Sequence, residues 1–112
     1  MQNKPHCFGE DYFERGVGTL FKEGYKQQYF LDYWKEAIDY LIQQCKPKRI
    51  LEIGCAKGFL IKELRKRGVE AYGIDISEYA LSQADPDIKS FLRQCNVSEE
   101  KIPWPDQSFD LV

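Results

Sequence analysis

Residues Arg49-Ile50-Leu51-Glu52-Ile53-Gly54-Cys55-Ala56-Lys57-Gly58-Phe59 decide the fold. The apolar run from Arg49 to Ile53 is long enough for a buried strand and too short for a helix, and it ends on glycine. Gly54 and Gly58 let the chain turn tightly and approach a ligand with no Cβ in the way. From Phe59 to Arg67, the residues Phe59, Leu60, Ile61 and Leu64 supply the inner face of a helix. Lys62, Lys66 and Arg67 lie toward its end, where the helix dipole favours cations, and Gly68 stands as its stop. Strand, glycine turn and helix together make a cradle, with the first N–H groups of the helix pointing at the turn.

Working outward, Val69 to Asp75 reads as a second strand, Ser77 as the cap of the next helix, and Asp85-Pro86 as its end. A weaker strand pattern covers Phe91 to Val97. The turn-rich Pro103-Trp104-Pro105-Asp106 then leads to Phe109-Asp110-Leu111-Val112, which reads as a strand just beginning. Alternating strands and helices imply right-handed crossovers. The expected class is α/β, a Rossmann-like open parallel sheet with flanking helices, truncated in the fourth strand. Upstream of Pro47 the texture changes: residues 1–40 hold ten of the sixteen aromatics. Between Lys26 and Cys45 the residues Phe30, Trp34, Ala37, Ile38, Leu41, Ile42 and Cys45 recur at helical spacing, and Pro47 closes that helix. The division expected is an N-terminal helical segment, 1–46, able to serve as a lid, and a partial cofactor-binding domain, 47–112.

Composition bounds the function. A chain of 112 residues, 43% hydrophobic and 30% charged, is an ordinary globular protein of at most one domain. No apolar run approaches the ~20 residues that cross a bilayer, and the start lacks the features of a signal peptide, so a cytoplasmic protein without membrane contact is expected. Four scattered cysteines contain no CxxC pair and read as reduced thiols. A net charge of -2 gives no footprint for nucleic acid. His6, the single histidine, has no partner spacing for a metal, and no metal site is expected. The run Lys62, Arg65, Lys66 and Arg67 reads as a solvated face.

In open α/β sheets ligands bind beyond the carboxyl ends of the strands, where strand order reverses. Asp75 ends the second strand 21 residues after Gly54, where a carboxylate can accept from both ribose hydroxyls of a nucleoside. A dinucleotide fingerprint G-x-G-x-x-G would need glycines at 54, 56 and 59, where Gly54, Ala56 and Phe59 stand, and this disfavours an NAD-binding oxidoreductase.

Leu51-Glu52-Ile53-Gly54-Cys55-Ala56-Lys57-Gly58 resembles the first motif, E/D-x-G-x-G-x-G, of class I S-adenosylmethionine (SAM) dependent methyltransferases of the type 11-like kind. Gly73-Ile74-Asp75-Ile76-Ser77 resembles the second. Cys95-Asn96-Val97, followed by Ile102-Pro103-Trp104-Pro105-Asp106-Gln107-Ser108-Phe109-Asp110-Leu111-Val112, resembles a third stretch. The resemblance implies that Gly54, Cys55, Ala56 and Gly58 wrap the methionyl end of SAM while Glu52 stabilises their loop. It further implies that Asp75 holds the ribose, Ile76 packs on adenine, the Val97 N–H meets a ring nitrogen and Asn96 reaches the exocyclic amine. Two positions depart from the pattern. Ala56 replaces a glycine, tolerable with a negative φ, and Asn96 replaces an aspartate, its amide oxygen still able to accept.

Similar enzymes fold an N-terminal segment over SAM, so a contact to the sulfonium from Tyr12, Tyr25 or Tyr29 is expected, with Tyr25 taken as a site residue. Cys55 lies near a helix start that would lower its pKa, although packing of a small residue is the simpler account. The catalytic residues are expected beyond Val112, and the acceptor is expected to be a small molecule. An open sheet edge would invite a homodimer. The alternative functions are the NAD-binding oxidoreductase and a non-catalytic SAM-binding or scaffold protein.

Overall fold

The computed structural model describes residues 8–16 and 24–112. His6, Cys7 and Phe21 lie outside the described residues. The elements in order are α1 (Glu10–Arg15), α2 (Gln27–Tyr40) continued by a π-helical turn (Leu41–Cys45), β1 (Arg49–Ile53), α3 (Phe59–Lys66), β2 (Glu70–Asp75), α4 (Glu78–Ser82) and β3 (Leu92–Gln94). β2 pairs with β1 on one side and β3 on the other, both parallel, with Leu51 opposite Tyr72 and Gly73 opposite Leu92. This is the open parallel α/β sheet with flanking helices that the alternating pattern implies.

Local chemistry explains the boundaries. Lys46, at φ 45°, ends the π-helical turn just before Pro47. The end of α3 is a Schellman closure: Gly68, at φ 85°, donates to the Arg65 carbonyl and Val69 donates to Leu64. Ser77 caps α4 by accepting from the Ala80 N–H at 3.0 Å. That helix stops at Ser82, three residues short of the Asp85-Pro86 end expected.

Parallel strands are covered on both faces, and the two faces are covered differently. On one, Ile50, Ala71 and Leu92 meet Ile61 and Leu64 of α3 and Ile38 of α2. Burying each of these larger side chains contributes about 1.5–3 kcal/mol. On the other, Leu51, Ile74 and Cys95 lie under Tyr72, Trp104 and Phe109, whose rings meet edge to face.

Instead of a full fourth strand, residues 110–112 make a single parallel bridge, Leu111 to Ile50. The bridge lies on the β1 side away from β2, so strand order reverses at β1. Asp110 fixes it, its carboxylate accepting from the N–H groups of Lys48 (2.9 Å) and Arg49 (3.0 Å).

Two expectations about faces need correction. On α2, Ile38 is buried and Phe30, Leu41 and Ile42 pack against the core, but Trp34, Ala37 and Cys45 are exposed. The Trp34 indole lies beside Phe30 and edge-on to Tyr33 at the surface, while Phe30 itself packs beside Phe59. The basic run on α3 is not a solvated face. Arg65 stacks on Phe91 and donates to the Ala71 carbonyl at 2.7 Å, Arg67 pairs with Asp39 and Glu63, and Lys62 pairs with Asp85. Lys66 alone of the four is exposed.

Candidate cofactor site

The turn after β1 is built from alternating left-handed residues: Gly54 at φ 84°, Ala56 at 53° and Gly58 at 79°. The negative φ that would make alanine tolerable at position 56 is therefore not the one adopted. The turn must return the chain from β1 to α3 within five residues, 54–58, and its geometry imposes a conformation costing alanine about 1–2 kcal/mol. Two hydrogen-bond groups hold it. Gly54 and Cys55 both donate to the Ile74 carbonyl at 2.8 and 2.9 Å, and the Ala56 N–H donates to Asp75 Oδ2 at 2.7 Å. With the Gly58 N–H given to Cys55 O, the amides of Gly54, Cys55, Ala56 and Gly58 are all held by the protein itself.

Asp75 ends β2 at the rim of this turn, its other oxygen accepting from the Ser77 N–H at 2.8 Å. Beside the turn lies a cavity of about 460 Å³, a size suited to a small-molecule ligand. Gly54, Ala56, Asp75, Ile76, Asn96 and Val97 line it from the ends of the three strands, together with Ile53. Its roof is aromatic: Phe8, Tyr12, Phe13 and Tyr25. Tyr25 stacks on Phe59 with centroids 4.8 Å apart, and Phe13 stands edge-on to it. Tyr29 is not part of the cavity wall.

Several residues singled out in the sequence sit elsewhere. The Cys55 side chain belongs to the core, so tightly packed that a Cβ on Gly73 would lie 2.6 Å from its Cβ. Burial first, then Glu52 and Asp75, push its thiol pKa well up, opposite to the effect expected of a helix start. Gly58 is buried at the N-cap of α3, where a Cβ would meet Ile88 Cδ1 at 2.6 Å. Glu52 does not brace the loop by hydrogen bonding: its Oε1 is buried without a partner among the described residues. Burial, and secondly the Asp75 charge, raise its pKa to about 8. The Asn96 oxygen is already taken, accepting from the Ser98 N–H (3.2 Å) and Ser98 Oγ (2.6 Å).

Sequence reasoning missed a latch between the roof and the turn. Lys57, almost fully buried, pairs with Glu14 of α1 at 2.6 Å, and the Tyr79 hydroxyl donates to the same carboxylate at 2.9 Å. Ser77 Oγ donates to the Phe8 carbonyl at 2.6 Å. The Lys57 hydrogen bond holds the Glu14 carboxyl below its ordinary pKa. The signal was faint: a lysine among glycines reads as solvent-facing until a distant acid is placed beside it.

An open parallel sheet whose first turn and second-strand carboxylate flank an aromatic-roofed cavity defines an α/β protein with its candidate site at the carboxyl ends of the strands. Comparison with known families sharpens the class: the sequence model of the methyltransferase domain matches residues 51–112, more than half of the chain. The chain belongs to that family of class I methyltransferase domains. It is 35% identical over 65 residues to human (Homo sapiens) methyltransferase-like protein 27, covering 56% of this chain and 26% of the relative. A ubiquinone biosynthesis O-methyltransferase of Alkalilimnicola ehrlichii is 35% identical over 84 residues, covering 67% and 33%. The mitochondrial arginine-hydroxylase NDUFAF5 of Rattus norvegicus is 35% identical over 65 residues, covering 55% and 18%. The chain thus spans from under a fifth to a third of the length of these relatives. Among the described residues no helix is long and apolar enough to cross a membrane, and no group of His, Cys, Asp and Glu could hold a metal.

Proposed function

We propose that this chain binds SAM and serves a methyl transfer to a small-molecule acceptor. The observation that carries the reading is the cavity, which joins a strand-ending carboxylate, apolar walls and an aromatic roof beside the glycine turn. The residues suit the cofactor. Each Asp75 oxygen accepts one backbone N–H and keeps capacity for a ribose hydroxyl. The buried Glu52 Oε1 lacks a donor, and the ammonium of a methionyl group is one.

Bound there, SAM supplies a methyl carbon already activated by its sulfonium. The protein's task is then to orient the nucleoside, exclude water and stabilise positive charge. Asp75 would orient the ribose, Ile76 and Val97 would flank the base, and a ring face of Tyr12, Tyr25 or Phe8 turned to the sulfonium would attract it by about 0.5–2 kcal/mol. Docking of α1 through Lys57 and Glu14 would keep that roof closed. Two of the relatives are named for methyl transfer or as methyltransferase-like, which favours this reading over hydroxylation.

Calorimetric titration with S-adenosylhomocysteine tests it. Saturable binding that falls at least tenfold in Asp75→Ala, with no binding of NAD(H), is the expected result. A folded protein that does not bind the nucleoside overturns the proposal.

A further inference from the structure

We infer that Asn96 makes the base end of the cavity indifferent to the exocyclic amine of adenine, and that Ser98 is the residue that makes it so. The inference rests on the SAM reading and goes beyond it, since it concerns which part of the base this chain recognises. Asn96 lines the same cavity as Ile76 and Val97, the residues proposed to flank the base. An amide oxygen has two lone pairs. Both are used at Asn96, one by the Ser98 N–H and one by the Ser98 hydroxyl, whose 2.6 Å bond is the shorter.

The backbone N–H is a donor only, so it fixes which end of the amide faces Ser98. Oδ1 points at Ser98, and Nδ2 with its two hydrogens is the end left over. The Asn96 backbone N–H is tied as well, to Glu100 Oε1 at 2.9 Å, so the turn is held from both sides. An exocyclic amine is itself a donor through its N–H groups. Donor therefore faces donor, and Asn96 cannot accept from the amine unless it surrenders a bond to Ser98.

Aspartate at this position would behave differently with no change of shape. One carboxylate oxygen would keep both Ser98 bonds, and the second, in place of Nδ2, would be a free and charged acceptor. The one-atom difference between the two side chains thus switches the amine from ignored to read.

The test compares S-adenosylhomocysteine with its 6-deamino analogue, in which purine replaces adenine, by calorimetry on the wild-type protein, Asn96→Asp and Ser98→Ala. The wild type is expected to bind both ligands within about threefold. Asn96→Asp should prefer the amine-bearing ligand by tenfold or more, through tighter binding of S-adenosylhomocysteine and not through loss of the analogue. Ser98→Ala, which frees one lone pair of Oδ1, should show a smaller preference of the same sign. A wild-type preference of tenfold or more, or equal discrimination in wild type and Asn96→Asp, overturns the inference while leaving the cofactor reading intact. Failure of every folded variant to bind either ligand overturns the cofactor reading and this inference with it.

Discussion

Ala56→Gly should stabilise the protein, although it deletes a side chain. At φ 53° the alanine sits in a region costing an L-residue about 1–2 kcal/mol, and glycine removes that cost. Glycine also gives the unfolded chain more freedom, which takes back about 0.4–1 kcal/mol. The net gain is therefore about 0.8 kcal/mol, a rise in Tm of roughly 3–6 °C for a domain of this size. Gly54→Ala is the mirror control. Its φ is 84° and a new Cβ would meet nothing within 4 Å, so it adds the backbone cost without a clash and should lower stability by about the same amount. Chemical denaturation followed by circular dichroism measures both. If Ala56→Gly is neutral or destabilising while Gly54→Ala is harmless, the turn is not strained and the reasoning fails.

Two other perturbations address the roof and the buried acid. Glu14→Gln leaves the nearly buried Lys57 ammonium without its counter-charge and should undock α1, costing about 1–2 kcal/mol after allowance for the partial exposure of Glu14. Hydrogen exchange over residues 10–15 should accelerate; unchanged protection would refute the latch. Because the Glu14 pKa is lowered on folding, the same contact in the wild type is present above the ordinary carboxylate range and lost as pH falls through the folded value. Glu52 has the opposite sign. Its folded pKa of about 8 lies above the unfolded one, so its contribution is fully present below about pH 4 and is lost as pH rises through 8. Glu52→Gln should thus exceed the wild type in stability at pH 9 by more than ~1 kcal/mol, with the gap closing toward pH 5; parallel stability–pH curves for the two proteins would show that Glu52 is ordinary.

The sheet and its site were legible because their signals are local. A five-residue apolar run, a glycine turn, a strand-ending aspartate and a serine cap each act within a few residues, and Gly54, Asp75, Ile76 and Val97 all meet at one cavity as strand geometry requires. What the residues of the strands and turns could not reveal were choices between partners distant along the chain. Lys57 joins Glu14 across 43 positions, and Ser77 joins Phe8 across 69, so neither contact leaves a pattern in either neighbourhood. The basic run on α3 looked solvated because, apart from Glu63 on the same helix, the rings and acids that engage it come from α2, β2 and the segment before β3.

By itself, then, the sequence determined the order of strands and helices, the glycine turn after β1 and the carboxylate that ends β2 beside it. Each of these follows from hydrophobic period and backbone freedom, which are properties of a few consecutive residues. Tertiary structure decided the left-handed state of Ala56, the burial of Cys55, the orphaned Glu52 oxygen and the direction in which the Asn96 amide faces. Those depend on which groups converge in space, because a dihedral angle, a desolvated charge or a saturated lone pair is set by neighbours the chain brings together only once it has folded.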